Sequence, residues 1–233
     1  MKQLPLPISL SPRATFDNFV AGNNEEAVAS LQEFLNTKSE LQILIWGDGP
    51  RGKTHLLQAI CHQAAEENKN AAYVPLKELA ESDPRLLHAL EQLDIVCIDD
   101  IHLVGNHEEW ALELFNLINR CREQQTSLVF SSVQKPQEMT LALHDLRSRL
   151  MWGPVFYLRN MQDEDLLLTI TQRASQLGLE VPLEAAEYLL KRCRRDLGEL
   201  LDIIDQLDKE TIIQQRRVTL PLIRSVLEAR YQS

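Results

Sequence analysis

The 233-residue chain lacks any run of 18 consecutive apolar residues, so its sequence offers no membrane-spanning helix. Its first dozen residues carry three prolines rather than a basic stretch followed by an apolar one, which excludes a signal-peptide pattern. Cysteine is sparse and scattered. Cys61, Cys97, Cys121 and Cys193 stand singly, with no C-x-x-C pair and no close histidine, which excludes a zinc site and a disulfide framework. That usage suits a reducing, cytoplasmic setting. Positive charge is short as well: 24 Lys and Arg against 34 Asp and Glu leave a net charge of −10. Broad contact with a phosphate backbone needs a concentrated basic surface, so no strong direct nucleic-acid binding is expected, and no membrane partner. Internal repeats and low-complexity runs are absent. What remains, 44% hydrophobic and 25% charged, is ordinary globular composition, with room for one domain and a smaller second one.

Short apolar strings alternate with longer amphipathic ones in the first two thirds of the chain. Leu41 to Trp46 reads as a buried strand, and Lys53 to about Glu67 as a helix. Ala71 to Leu76, Ile95 to Ile98, Ser127 to Ser131 and Pro154 to Leu158 supply four more β-like strings. Glu108 to Glu123 shows a helical face of Trp110, Leu114, Leu117, Ile118 and Cys121. The continuous run at Ile95 fits a central parallel strand covered on both faces. This alternation predicts βαβ units and a five-stranded parallel sheet flanked by helices. From Asp163, a plausible N-cap, every apolar string has helical period, and Gly178 and Pro182 punctuate it. Three or four helices are expected there, the last over Leu220 to Ala229. The expected organisation is therefore a flexible leader over 1–12, an α/β domain over 13–160, and a small all-helical domain over 161–233.

Between the first strand and its helix, Gly47-Asp48-Gly49-Pro50-Arg51-Gly52-Lys53-Thr54 fits G-x-x-x-x-G-K-[ST] at every constrained position. Glycines let the backbone curl its N–H groups around phosphate oxygens, where a Cβ would obstruct. Lys53 carries a point charge to the terminal phosphates, the Thr54 hydroxyl can hold magnesium, and the helix adds its positive dipole end. Gly47, Gly49, Pro50, Arg51, Gly52, Lys53, Thr54 and the following His55 form the candidate cofactor-binding set for ADP or ATP. The alternative for the glycine loop is a strand-to-helix turn without ligand; its strand and helix context argues against that.

Ile95-Val96-Cys97-Ile98-Asp99-Asp100 places two acids at the carboxyl end of an apolar strand, where open parallel sheets bind their ligands. Asp99 is the candidate partner of magnesium, directly or through water, and Asp100 the candidate that orients or deprotonates an attacking water. As bases, His55 and His102 read as supporting or surface groups. Trp46, Trp110 and Trp152 read as core or interface packing.

Taken with their neighbours, these motifs resemble the AAA+ family and, within it, the bacterial DnaA initiators. The resemblance rests on Asp99-Asp100-Ile101, on Leu146-Arg147-Ser148-Arg149-Leu150-Met151-Trp152-Gly153, and on Thr15-Phe16-Asp17-Asn18-Phe19-Val20, and it covers about residues 13 to 213. It implies a P-loop AAA+ fold with a small helical lid. The chain stops at Ser233, too soon for the DNA-reading domain that follows the lid in DnaA, and begins with Gln3-Leu4-Pro5-Leu6. That peptide is similar to the motif by which bacterial proteins dock on the sliding clamp. The combination resembles the Hda family, whose members bind the DNA-loaded clamp and promote hydrolysis of ATP held by DnaA, negatively regulating initiation. The resemblance thus implies as partners the DnaA initiator and the DNA polymerase III sliding clamp, with self-association through the AAA+ interface also open.

In the peptide, Gln3 can act as hydrogen-bonding anchor and Leu4 and Leu6 as apolar plugs, stiffened by Pro5 and Pro7. Read alone it is a disordered leader with incidental leucines, the usual fate of chain ends; the resemblance is what favours docking. The resemblance makes Arg149 the arginine finger, offered in trans to another subunit's nucleotide, with Arg147 in support; the bland alternative is a local pair with Asp145. Two departures stand out. Gly198 occupies the position of the lid's second sensor arginine, with Arg194 and Arg195 one turn too early. Val133 stands where the relatives often carry Asp after the fourth strand, leaving Ser131 or Ser132 to offer a hydroxyl. Both departures favour a bound nucleotide that sets conformation over strong self-hydrolysis. The competing expectation is a self-contained AAA+ ATPase related to helicase loaders.

Overall fold

The structure, a computed structural model, describes residues 10–37, 40–193, 196–214 and 218–231. Contacts divide the chain into two units. One holds the chain up to Phe19, Asn24–Asp48 and Gly52–Arg159; the other holds Val20–Asn23, Gly49–Arg51 and the chain from Asn160.

The first unit is built on five strands: β1 (Gln42–Trp46), β2 (Ala71–Pro75), β3 (Ile95–Asp99), β4 (Ser127–Ser132) and β5 (Val155–Tyr157). They pair in the order β2-β3-β4-β1-β5, every pairing parallel. The expected five-stranded parallel sheet is therefore present, and each expected strand lies within a residue or two of its sequence bounds. Ile95, Val96, Cys97 and Ile98 are fully buried because helices cover both faces of β3. Complete burial of each aliphatic side chain is worth roughly 1.5–3 kcal/mol.

The covering helices are α1 (Glu25–Thr37), α2 (Lys53–Glu66), α3 (Leu76–Leu79), α4 (Glu108–Gln124) and α5 (His144–Leu150). The helical face expected on α4 is the buried one, with Trp110, Leu114, Leu117, Ile118 and Cys121 all inside. Helix α1 was not among the sequence expectations, although Ala27, Val28, Leu31, Phe34 and Leu35 repeat at helical spacing and are buried. At its head Asn24 clamps the end of the sheet: its Nδ2 donates to Arg159 O at 3.2 Å, and Arg159 N donates to its Oδ1 at 2.7 Å.

The second unit carries four helices: α6 (Asp163–Gln176), α7 (Leu183–Arg192), α8 (Leu197–Gln214) and α9 (Leu220–Tyr231). Leu166, Ile170, Leu189, Leu200, Ile204 and Ile223 form its separate core. Arg173 ties α6 to α8 with a two-pronged bond to Asp205, at 2.9 and 2.7 Å. The cap of α6 is Gln162 rather than the expected Asp163; its backbone N–H donates to Asp165 Oδ2 at 3.1 Å, so the acid that serves the cap lies in the first turn.

Gly153 marks the tightest backbone approach in the first unit, since a Cβ there would lie 1.8 Å from the carbonyl oxygen of Gln42. Gly178 is a contrast: its φ is +74° but the space around it is open. In chemical denaturation followed by circular dichroism, Gly153→Ala is expected to cost about 2–3 kcal/mol and Gly178→Ala about 1 kcal/mol. Equal costs would show that the β1 contact is not a packing constraint.

Candidate functional site

Strand β1 delivers the chain to the loop at the carboxyl edge of the sheet. Gly47 N donates to Ser132 O at 3.1 Å, so the loop's first residue is held by the end of β4. Gly49 and Gly52 adopt φ of +65° and +81°, backbone that only glycine enters cheaply. Gly52 has a second reason to be glycine, because a Cβ would meet the Phe19 ring at 2.5 Å. Gly52 immediately precedes α2, so the positive dipole end of that helix faces the loop. Lys53, only 6% exposed, donates from Nζ to Gly47 O at 2.7 Å. A buried ammonium, a helix N-terminus and a glycine cradle fit the phosphates of a nucleotide.

His55 lies on the first turn of α2, and its Nε2 donates to Thr15 O at 2.8 Å while Phe19 stacks obliquely on its ring, with centroids 5.4 Å apart. Its ring is thereby turned to the entering segment Thr15–Phe19, which it fastens to the helix that follows the loop. Burial holds its pKa below the ordinary value, only partly offset by that hydrogen bond.

Asp99, the last residue of β3, is 3% exposed and gathers donors from three elements. Its Oδ2 accepts from Thr54 Oγ1 at 2.7 Å and from Tyr73 OH at 2.8 Å, while Oδ1 accepts from Ser131 Oγ. A hydroxyl that donates to Asp99 keeps its own lone pairs, so Thr54 can hold magnesium while bonded as it is. The pair fits a divalent cation with carboxylate support. The Tyr73 hydroxyl is held protonated, its pKa raised by burial and by the Asp99 charge.

Asp100 sits in the left-handed region, φ +59°, and its N–H donates to Ser131 Oγ at 2.8 Å. Burial and the adjacent Asp99 raise its pKa, opposed by His102, Lys53 and Lys77, a setting suited to a group that takes up a proton. Ser131 and Ser132 are fully buried and already engaged: Ser131 with Asp99 and Asp100, Ser132 as acceptor of Gln134 N at 2.9 Å. Their burial leaves neither hydroxyl exposed in this structure. His102 follows on a short 3₁₀ turn, Ile101–Leu103.

Arg149 lies elsewhere. Its carbonyl accepts from Gln42 Nε2 at 2.8 Å, at the start of β1 rather than its end. Four residue-to-residue steps lead from Gln42 to Trp46, roughly 13 Å at about 3.3 Å each. The guanidinium donates from Nε to Asn119 Oδ1 at 3.0 Å and lies 4.0 Å above the Trp152 ring and 5.0 Å from Phe115. Arg122 lies 4.3 Å from the same indole, which is 38% exposed. Asp145 has His144 as its neighbour, Nδ1 to Oδ1 at 3.9 Å, so the Arg149 guanidinium is held by an amide and an aromatic shelf instead. Arg147 donates to Met139 O at 2.9 Å and braces the loop before α5.

The structure brings together Gly47, Lys53, Thr54, Asp99 and Asp100, and keeps Arg149 apart from them. Gln3, Leu4 and Leu6 lie outside the described residues, as do Arg194 and Arg195. Tyr73 and Asn119 escaped sequence reading. Tyr73 carried a faint signal, a lone hydroxyl in an apolar strand. Asn119 carried none, since only packing pairs α4 with α5.

Residues 10–156 match the family model for the bacterial DnaA ATPase domain, and residues 163–227 that for the Hda lid domain. Among solved structures, domain III of the Thermotoga maritima replication initiation protein DnaA superposes with a TM-score of 0.83 at 22% identity, covering 95% of this chain and 98% of that one. AMPPCP-bound DnaA from Aquifex aeolicus gives 0.73 at 22% identity, over 86% of this chain and 66% of that one. The Thermotoga maritima RuvB Holliday junction branch migration motor gives 0.71 at 20% identity, over 94% and 72%. At these identities the likeness shows the fold: an AAA+ sheet followed by a helical lid.

The buried imidazoles carry a pH signature. His55 and His102 both titrate below 6.5 in the folded chain, so between the folded and unfolded values the unfolded chain binds more protons. Stability is then complete above about pH 6.5 and falls as pH drops through that value. The thermal midpoint of His55→Gln should fall less between pH 7.5 and 5.5 than that of the wild type; an identical fall would acquit His55.

Proposed function

Because the chain belongs to the bacterial DnaA ATPase-domain family and carries a lid of the Hda type, we propose that it is a regulator of replication initiation that binds ADP or ATP with magnesium, docks on the sliding clamp and promotes hydrolysis of ATP held by the DnaA initiator. The observation that carries this reading is the separation of Arg149 from the chain's own phosphate loop. Its backbone is anchored at the start of β1, whereas Gly47 follows the end of that strand. A guanidinium fixed at the opposite sheet edge cannot reach the chain's own terminal phosphate, but it is presented, stacked and oriented, to a neighbouring molecule. A planar, permanently charged fork of this kind stabilises the charge that develops on a transferring phosphoryl group.

In this reading the loop serves a different purpose from the finger. Lys53 and the glycine cradle hold the phosphates, Thr54 and Asp99 hold the cation, and the bound nucleotide sets the conformation in which Arg149 is offered. Magnesium, when bound, neutralises phosphate charge; Tyr73 and Ser131 keep the Asp99 carboxylate aimed at it. Asp100 is the group able to accept a proton, should the chain turn over nucleotide of its own. The lack of a side chain at Gly198, in the first turn of α8, and of a polar group on Val133 supports a slow intrinsic reaction. Gln3, Leu4 and Leu6 are proposed as the clamp anchor on their sequence alone. Pairing between copies of this chain would use the same Arg149 face.

The test is a reconstitution in which DnaA loaded with radiolabelled ATP meets DNA-loaded clamp and this protein. Hydrolysis should require both, and Arg149→Ala should reduce the stimulation at least a hundredfold while leaving nucleotide affinity intact. Lys53→Ala should weaken nucleotide binding by tenfold or more, read by calorimetry, at about 1.4 kcal/mol per decade. Full stimulation by Arg149→Ala would remove the finger from the mechanism.

A further inference from the structure

Val133 has no group able to hydrogen-bond through its side chain, yet it stands at the mouth of the loop. Strand β4 ends at Ser132, which is paired with Trp46, and Ser132 O accepts the N–H of Gly47. The next backbone N–H, that of Val133, donates to His102 Nδ1 at 3.4 Å. Gly47 O in turn accepts from Lys53 Nζ. His102, Val133, Ser132, Gly47 and Lys53 thus form one continuous run of covalent and hydrogen bonds leading from the imidazole to the phosphate-binding lysine.

That arrangement dictates the chemistry of the ring. A nitrogen that accepts from a backbone N–H carries no proton of its own, so the neutral ring bears its hydrogen on Nε2. Asp100 Oδ1 lies 3.9 Å from Nδ1, too far for a hydrogen bond that would compete for that nitrogen. Burial further favours the neutral form. The side chain is 12% exposed, enclosed enough for its donor to matter and open enough to meet a ligand. The Ser131 hydroxyl donates to Asp99, the Ser132 hydroxyl is fully buried and accepts from Gln134 N, and Val133 offers only its backbone.

We propose that His102 is a specificity-determining residue of the nucleotide site, its Nε2–H donating to the terminal phosphate of a nucleoside triphosphate and so distinguishing it from a diphosphate. This rests on the reading of Gly47 to Thr54 as a nucleotide loop. Nothing along the chain from His102 to Lys53 requires the imidazole for folding of the loop, since Gly47 is held by Ser132 directly.

The experiment measures binding of ATP and of ADP, each with magnesium, to the full chain by calorimetry, alongside His102→Ala and His102→Phe. The phenylalanine keeps the ring's bulk and removes both nitrogens, which guards against loss of fold in the smaller variant. In both variants ATP should bind about tenfold more weakly, while ADP stays within about twofold of wild type. Parallel weakening of ATP and ADP, or no change in either, would overturn the role of His102 while leaving the nucleotide site in place. A wild-type chain that binds neither nucleotide would overturn the nucleotide site itself and this inference with it.

Discussion

The carboxylate of Asp99 is the constraint on which the first unit depends. An ionised acid withdrawn from water costs several kcal/mol unless its lone pairs are met. Here they are met by Thr54 from α2, Tyr73 from β2 and Ser131 from β4, so one charge draws three elements to the end of a fourth. Ser131 also takes the N–H of Asp100, and the end of β4 takes the N–H of Gly47. The loop, the acids and the sheet edge are therefore positioned by a single hydrogen-bonded junction rather than by separate contacts. Displacing any of the three donors leaves a buried charge short of a partner, which explains why so polar a cluster can sit at the end of so apolar a strand.

The opposite end of the sheet is organised by different physics. Arg149 is fixed by a backbone bond to Gln42, an amide acceptor on α4, and the faces of Trp152 and Phe115. Stacking leaves the guanidinium charged and largely uncompensated, because aromatic faces attract a cation without neutralising it. Arg122 on the same indole adds a second positive charge. An acidic partner would have bound this guanidinium more firmly and cancelled its charge. A compensated acid at one end of the sheet and a barely compensated base at the other support the proposed division of labour between the two ends.

Polar groups in the first unit are spent inward. Ser131 and Ser132 bind their own neighbours, Val133 offers none, and Gly198 in the second unit has no side chain. The His102 imidazole, linked to the loop through Val133 and Gly47, accepts on Nδ1 and keeps its donor on Nε2. A site so arranged offers a phosphate fixed backbone and a lysine, and few further contacts.

Much of this was legible in the sequence for simple reasons. Short apolar strings report buried strands because a parallel sheet is covered on both faces, and the glycine-lysine-threonine spacing reports a phosphate loop because local backbone geometry demands it. Parallel pairing and the lid helices follow from that same local patterning, whereas the strand order β2-β3-β4-β1-β5 comes only from the tertiary structure. Helix α1 had the right periodicity but no motif to draw attention to it. Tyr73, Asn119 and the Val133–His102 bond are of another kind. Each joins residues far apart in the chain, and no local pattern encodes which side chains meet when β2 is laid beside β3 or α4 beside α5. By itself the sequence determined the elements and the glycine-lysine-threonine loop, because those depend on neighbours along the chain. Only the tertiary structure decided what holds Asp99, where Arg149 is aimed and which nitrogen of His102 is free, because those depend on neighbours in space.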